Sequence, residues 1–120
     1  MDLRTFLTRS PDLANVACAE DFAAHWTPMR LSKGAHANQQ EQPERNEYIV
    51  LDGCLTSTIC DQDGKEVCVG FYVGPCVVTP NIARTREGMS LVSVAATTDA
   101  SLVRIDTDLL TELMLSLIHI

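Results

Sequence analysis

Residues 48–73 read YIVLDGCLTSTICDQDGKEVCVGFYV, and this stretch decides the architecture. YIVL is an apolar run closed by Asp52-Gly53, a turn pair. CLTSTIC alternates, with Leu55, Ser57 and Ile59 on one face and Cys54, Thr56, Thr58 and Cys60 on the other. DQDGKE is a hairpin signal, because Asp63-Gly64 supplies the positive φ that a tight turn needs. VCVGFYV is the return strand, rich in β-formers.

On the C-terminal side, YVGPCVVTPN (72–81) breaks at Gly74-Pro75, becomes apolar again, and breaks once more at Pro80-Asn81. MSLVSVAATT (89–98) predicts a further strand, TDA a turn, and SLVRI (101–105) the last strand. Asp106 or Thr107 caps a helix that carries Leu109, Leu110, Leu113, Met114 and Leu117 on one stripe. Residues 31–47 are polar and poor in β-branched residues. They predict mostly loop, with a turn at Lys33-Gly34 and a short edge strand near residues 35–38. Upstream, Leu3, Phe6 and Leu7 have helical spacing. Ser10-Pro11-Asp12 opens a second helix through Leu13, Val16 and Ala17. A third, around residues 20–26, sets Phe22 against Trp26 as core anchors and ends at Pro28.

The order is helices, then about six to eight short strands, then a helix. No βαβ alternation is present, which disfavours a doubly wound parallel sheet. Many short strands point to a small barrel or a jelly roll (double-stranded β-helix), a mainly β fold with flanking helices. The chain divides into a helical segment (1–30), a β-roll (31–106) and the start of a C-terminal helix (107–120). At 120 residues it suits a single domain with a real core.

Net charge is −7, and the nine cationic side chains are scattered, which argues against a grip on nucleic acid. No apolar run approaches ~20 residues, so no membrane span is expected. MDLRTFLTRSPDL has no apolar core and no small-residue cleavage site, and the expected compartment is the cytoplasm. The five cysteines (Cys18, Cys54, Cys60, Cys68 and Cys76) read as reduced, buried small hydrophobes, with a redox-responsive pair as the alternative. No CxxC suggests zinc.

Catalytic readings fare poorly. His25, His36 and His119 are too far apart for a barrel-type metal site. One cysteine before residue 54 does not make an iron–sulfur cluster. No G-x-S-x-G supports a hydrolase. Asp61 and Asp63 fit a turn better than the six to eight oxygens that calcium takes. No metal and no enzyme activity are expected.

Four pieces carry a family resemblance. KGAHANQQEQPERNEYIVLDGCLTSTICDQDGKE, VGFYVGPCVVT, SVAATTDASLVRID and TDLLTELM together span residues 31–114. In order and spacing they resemble the effector domain of Crp/Fnr-type transcription regulators, which share the cyclic nucleotide-binding fold. The resemblance implies two short sheets folded over each other, a corner at Gly74-Pro75, and a short helical cassette beginning at Pro80-Asn81. In nucleotide-binding members a Gly-Glu pair opens the cassette and the Glu meets the ribose. A later Arg followed by Ser or Thr meets the cyclic phosphate, helped by helix N-terminal amides.

The cassette-equivalent positions here are Gly74, Val78, Thr79, Arg84, Arg86, Ser90 and Leu91. Val78-Thr79 stands where the resemblance puts Gly-Glu, and Ser90-Leu91 where it puts Arg-Ser. Losing both charged groups costs about 3 kcal/mol or more, on the order of a hundredfold in affinity. Pro80 removes a further backbone donor. Arg84 and Arg86 are candidate replacements, or else solvated loop charges. A Thr79-Pro80 opening with Ser near 90 resembles a subgroup that lacks the nucleotide signature.

The implied function is a sensory domain of such a regulator, with no cofactor and without cyclic AMP held through the usual cassette. A small-molecule effector and a homodimer in the parent protein are the implied partners. DNA reading belongs to a helix-turn-helix that members carry beyond the post-roll helix, not to this segment. The tail LMLSLIHI departs from the family and predicts self-association. The alternatives are a stand-alone small-ligand module and a degenerate structural interaction domain.

Overall fold

The computed structural model describes residues 2, 3, 5, 23–78 and 85–118. Of the three helices expected in the first 30 residues, Leu3, Thr5, Ala23 and Ala24 are helical, His25 and Trp26 form a turn and bend where the third helix was expected to continue, and residues 4 and 6–22 lie outside the described residues. The region from residue 27 onward is strand. β1 (Thr27–Leu31), β2 (His36–Asn38), β3 (Asn46–Asp52) and β4 (Cys54–Cys60) are followed by β5 (Glu66–Val73), β6 (Cys76–Val78), β7 (Ser93–Ala96) and β8 (Ala100–Asp106). The chain then enters α1 (Thr107–Ile118).

Turn chemistry sets the strand ends. Gly53 sits at φ +95° between β3 and β4, and a Cβ there would strike the backbone of Asp99 and Ala100. Asp61 closes the β4–β5 hairpin, its carboxylate accepting the amides of Asp63 (2.9 Å) and Lys65 (2.8 Å). This is the turn reading of the acidic pair, made concrete. The Gly74-Pro75 peptide is cis, and Gly74 N–H donates to Gly53 O at 2.9 Å, so two corners lock together.

Two four-stranded antiparallel sheets result, β1-β8-β3-β6 and β2-β7-β4-β5. Between them lies a core built on Tyr48, Val50, Leu55, Val78, Val94 and Leu102. Alternation along β4 buries Leu55 and Ser57, while Ile59 reaches the rim and is exposed. The outer face of the first sheet carries a second core of Leu3, Trp26, Ile49, Leu51, Val103 and Ile105, covered in part by Leu109, Leu110 and Leu113 of α1. The loop after β7 stitches the sheets together. Thr98 Oγ1 accepts Cys54 N–H (3.0 Å) and the Asp99 carboxylate accepts Lys33 N–H (2.8 Å).

Four expectations change. Residues 27–30, placed in the helical segment, form β1, pairing with β8 from Thr27↔Arg104 to Leu31↔Ala100. Pro28 is tolerated there because β1 is an edge strand. Residues 89–92 are not regular strand; only residues 93–96 join the sheet. Cys60 and Cys68 are exposed and Cys54 and Cys76 half-buried, and of these four only Cys76 packs against the core. In α1, Met114 leaves the packed stripe and is exposed.

Candidate functional site

Of the positions that the resemblance assigns to the cassette, Val78 ends β6, and Arg86, Ser90 and Leu91 lie on the limb that leads into β7. Val78 is 2% exposed and its side chain packs in the core between the sheets, across from Tyr48. Val78, which the resemblance sets at the cradle's glycine, is a buried branched side chain. Thr79 and Arg84 lie outside the described residues. Arg86 is exposed on a turn closed by Gly88 N–H to Thr85 O at 3.0 Å. Leu91 is exposed. Gly74 belongs to the corner: a Cβ there would stand 2.9 Å from the Leu51–Asp52 backbone.

Ser90 is buried and its hydroxyl is committed. It donates to Val92 O at 2.6 Å and accepts from Asn38 Nδ2 and Val92 N–H, each at 3.3 Å. Asn38 also accepts Val94 N–H through Oδ1 at 3.0 Å. Asn38, Ser90 and Val94 therefore form one buried polar joint between β2, the returning limb and β7. The backbone of residues 41–44 runs beside that limb. Glu41 N–H donates to Ser90 O (2.7 Å), Ser90 N–H to Gln42 O (2.8 Å) and Glu44 N–H to Gly88 O (2.9 Å). Gln40 closes the same seam with its side chain, accepting Cys60 N–H (2.8 Å) and donating to Cys60 O (3.2 Å).

The charged group at this end of the roll escaped the sequence reading. Glu44 is buried, and its carboxylate accepts the Tyr48 hydroxyl (3.1 and 3.2 Å to its two oxygens) and Asn46 N–H (2.8 Å). Burial raises the Tyr48 phenol above its ordinary range, and the neighbouring Glu44 charge and hydrogen bond add to the rise. Arg104 pairs with Tyr48 across β3 and β8, so strand parity sets both on one face. Nothing in the spacing of Glu44 and Tyr48 announces a buried pair; the exposed-looking polar run around residue 44 hides it.

Dimensions limit what the interior can hold. The void lined by Ala37, Asn38, Tyr48, Leu55, Val78 and Val94 is about 10 Å³, room for one water at most. A larger cavity, about 480 Å³, lies elsewhere, on the outer side of the first sheet, lined among others by Trp26, Met29, Arg30, Leu51 and Val103. Among the described residues, no group of three or more His, Cys, Asp and Glu is placed to hold a metal ion, and no helix is long and apolar enough to cross a membrane.

No protein-family model and no curated protein matches the sequence. Solved structures do match in fold. A transcriptional regulator from Thermotoga maritima superposes with a TM-score of 0.70 at 16% identity, over 81% of this chain and 75% of that one. A putative cyclic nucleotide binding protein from Ruegeria pomeroyi gives 0.77 at 17% identity, over 93% of this chain and 50% of that one. The sensor domain of the transcriptional regulator DNR from Pseudomonas aeruginosa gives 0.73 at 17% identity, over 90% of this chain and 76% of that one. The fold is thus the β-roll found in cyclic nucleotide-binding domains and in the sensor domains of transcriptional regulators.

Proposed function

We propose that this chain is the sensory, dimerising β-roll of a Crp/Fnr-like transcription regulator, and that it does not hold cyclic AMP through the usual cassette. The observation that carries the second half is the state of Val78 and Ser90. The first fills the core at the cassette's entrance, and the second spends its hydroxyl on Val92 and Asn38. Neither presents a charged group to a cyclic phosphate. The chain acts as a binding and coupling domain in the cytoplasm, not as an enzyme. Its effector is a small molecule, and DNA contact is assigned to another part of the parent protein, consistent with a net charge of −7 here. The chain spans about half the length of the Ruegeria protein, which leaves room for such a part in relatives of that size.

Isothermal calorimetry with cyclic AMP and cyclic GMP tests this. The expected result is no saturable heat at micromolar nucleotide. Micromolar binding that Arg84→Ala or Arg86→Ala abolishes would overturn the reading. A stand-alone small-ligand module is the second reading. The cavity of about 480 Å³ favours it, since its size falls within the usual range for small-ligand sites of about 300–1,000 Å³.

A further inference from the structure

The outer face of the first sheet sets a polar row beside an apolar floor. Antiparallel register pairs Arg30 of β1 with Ser101 of β8, and Ser101 with Asp52 of β3. Partners across a sheet share a face, so these three residues form one line over three strands. Strands lie about 4.8 Å apart, which sets Arg30 and Asp52 about 10 Å apart at the backbone with Ser101 between them. Alternation sends Met29 and Leu31 into the core between the sheets and Arg30 to this face, where it is exposed. Two positions along, Pro28 pairs with Val103, and Val103 with Ile49. That second row is about 7 Å from the first. Leu3, Trp26 and Leu51 pack with Ile49 and Val103 in the same apolar layer. The register shift between Val50 and Asp52 leaves Leu51 in the layer and Asp52 in the polar row.

Two cavities meet along the polar row. The one of about 480 Å³ is lined by Trp26, Leu51 and Val103, and the other, about 320 Å³, by Asp52 and Asp99. Arg30 and Ser101 line both. Charge then selects the ligand class. Arg30 attracts a carboxylate, but Asp52 and Asp99 beside it repel one, and Asp2 adds a third acid to the larger cavity. A simple amine meets the reverse conflict at Arg30. A molecule that carries both charges side by side satisfies both signs. The guanidinium can take its carboxylate through two parallel hydrogen bonds. Arg30 and Asp52 are exposed, so their attractions are screened and set selectivity more than strength. Strength comes from an apolar side chain leaving water over the second row.

We propose that this face binds a free α-amino acid with a large apolar side chain. Arg30 and the Ser101 hydroxyl hold its carboxylate, Asp52 meets its ammonium, and its side chain lies over Val103, Leu51 and Trp26. The proposal rests on the reading that the cavity of about 480 Å³ takes a small ligand, and it names the class. The probe is L-phenylalanine, with hydrocinnamate and phenethylamine as analogues that each lack one charge. Calorimetry on the full chain reports binding anywhere. Trp26 is the single tryptophan, so its emission reports binding at this cavity. The expected result is one saturable site per chain, a change in Trp26 emission, and both analogues weaker by about tenfold or more. Arg30→Gln should bring L-phenylalanine down to the level of phenethylamine, and Asp52→Asn to that of hydrocinnamate. Both side chains are exposed, so both variants should keep the wild-type circular dichroism spectrum. An analogue that binds as tightly as L-phenylalanine and changes the emission overturns the amino-acid class while the small-ligand reading stands. Heat without a change in emission puts the ligand elsewhere and overturns the site. No binding by any of the three overturns the proposal and the small-ligand reading of this cavity with it.

Discussion

Tyr48 and Gly53 show what single residues contribute. Tyr48→Phe keeps the ring in the core but removes the hydroxyl that donates to the buried Glu44 carboxylate. The expected loss is about 1–3 kcal/mol in urea unfolding, the cost of leaving a buried acceptor unmade. The phenol also makes stability depend on alkali. Folding raises its pKa above the usual value of about 10, so between those values the unfolded chain releases a proton that the folded chain keeps. The stabilisation is therefore whole below about pH 10 and declines as pH rises beyond it. Unfolding free energies measured from pH 8 to 11 should fall more steeply for the native chain than for Tyr48→Phe. Gly53→Ala meets backbone atoms of Asp99 and Ala100 and must adopt φ +95°, so it should cost about 1–3 kcal/mol or fail to fold. The Asp52-Gly53 turn was plain in the sequence because glycine's freedom is a local property. The Glu44–Tyr48 pair was not, because its burial is imposed by the limb at residues 88–90, distant in the chain.

Elements were legible where their signals are local. Asp63-Gly64 gave the hairpin, and the structure selects Asp106 as the helix cap: its carboxylate accepts the amides of Asp108 (2.9 Å) and Leu109 (3.2 Å). Thr107, the other candidate, instead donates its hydroxyl to Glu47 at 3.2 Å. Asp106→Ala should lower stability by about 1 kcal/mol, read in thermal unfolding. β1 was missed because its existence depends on β8, 69 positions away at Leu31↔Ala100 and beyond reach of any local window. The joint at Asn38 is also a non-local element property. Asn38→Ala removes bonds to both Ser90 and Val94 and should cost about 2 kcal/mol, while detaching the returning limb from β2. Faster amide exchange at Val94 and Ser90 would report that detachment.

Across the whole molecule, a small barrel or jelly roll was foreseeable from strand count and turn spacing and its two sheets from the resemblance, whereas the destination of its surface side chains was not. Alternation on β5 exposes Val69, Phe71 and Val73, and β5 is an edge strand. Met114 and Leu115 add apolar surface on α1. The chain should therefore self-associate as concentration rises, and Met114→Ser with Leu115→Ser should weaken that association in sedimentation equilibrium if α1 is the contact. The cassette positions show the same division. The lack of Glu and Arg at 78–79 and 90–91 was visible in the letters, but the filling of the interior by Val78 and the internal use of Ser90 needed three dimensions.

Gln40 carries a consequence for the lifetime of the protein. Its carboxamide imitates a rung of β-sheet against Cys60, with one atom accepting and the other donating. Deamidation would convert that donor into an anionic oxygen facing a carbonyl, a repulsive contact from a mass change of about 1 Da. The turn end of the hairpin would then lose its tie to residue 40 in aged samples.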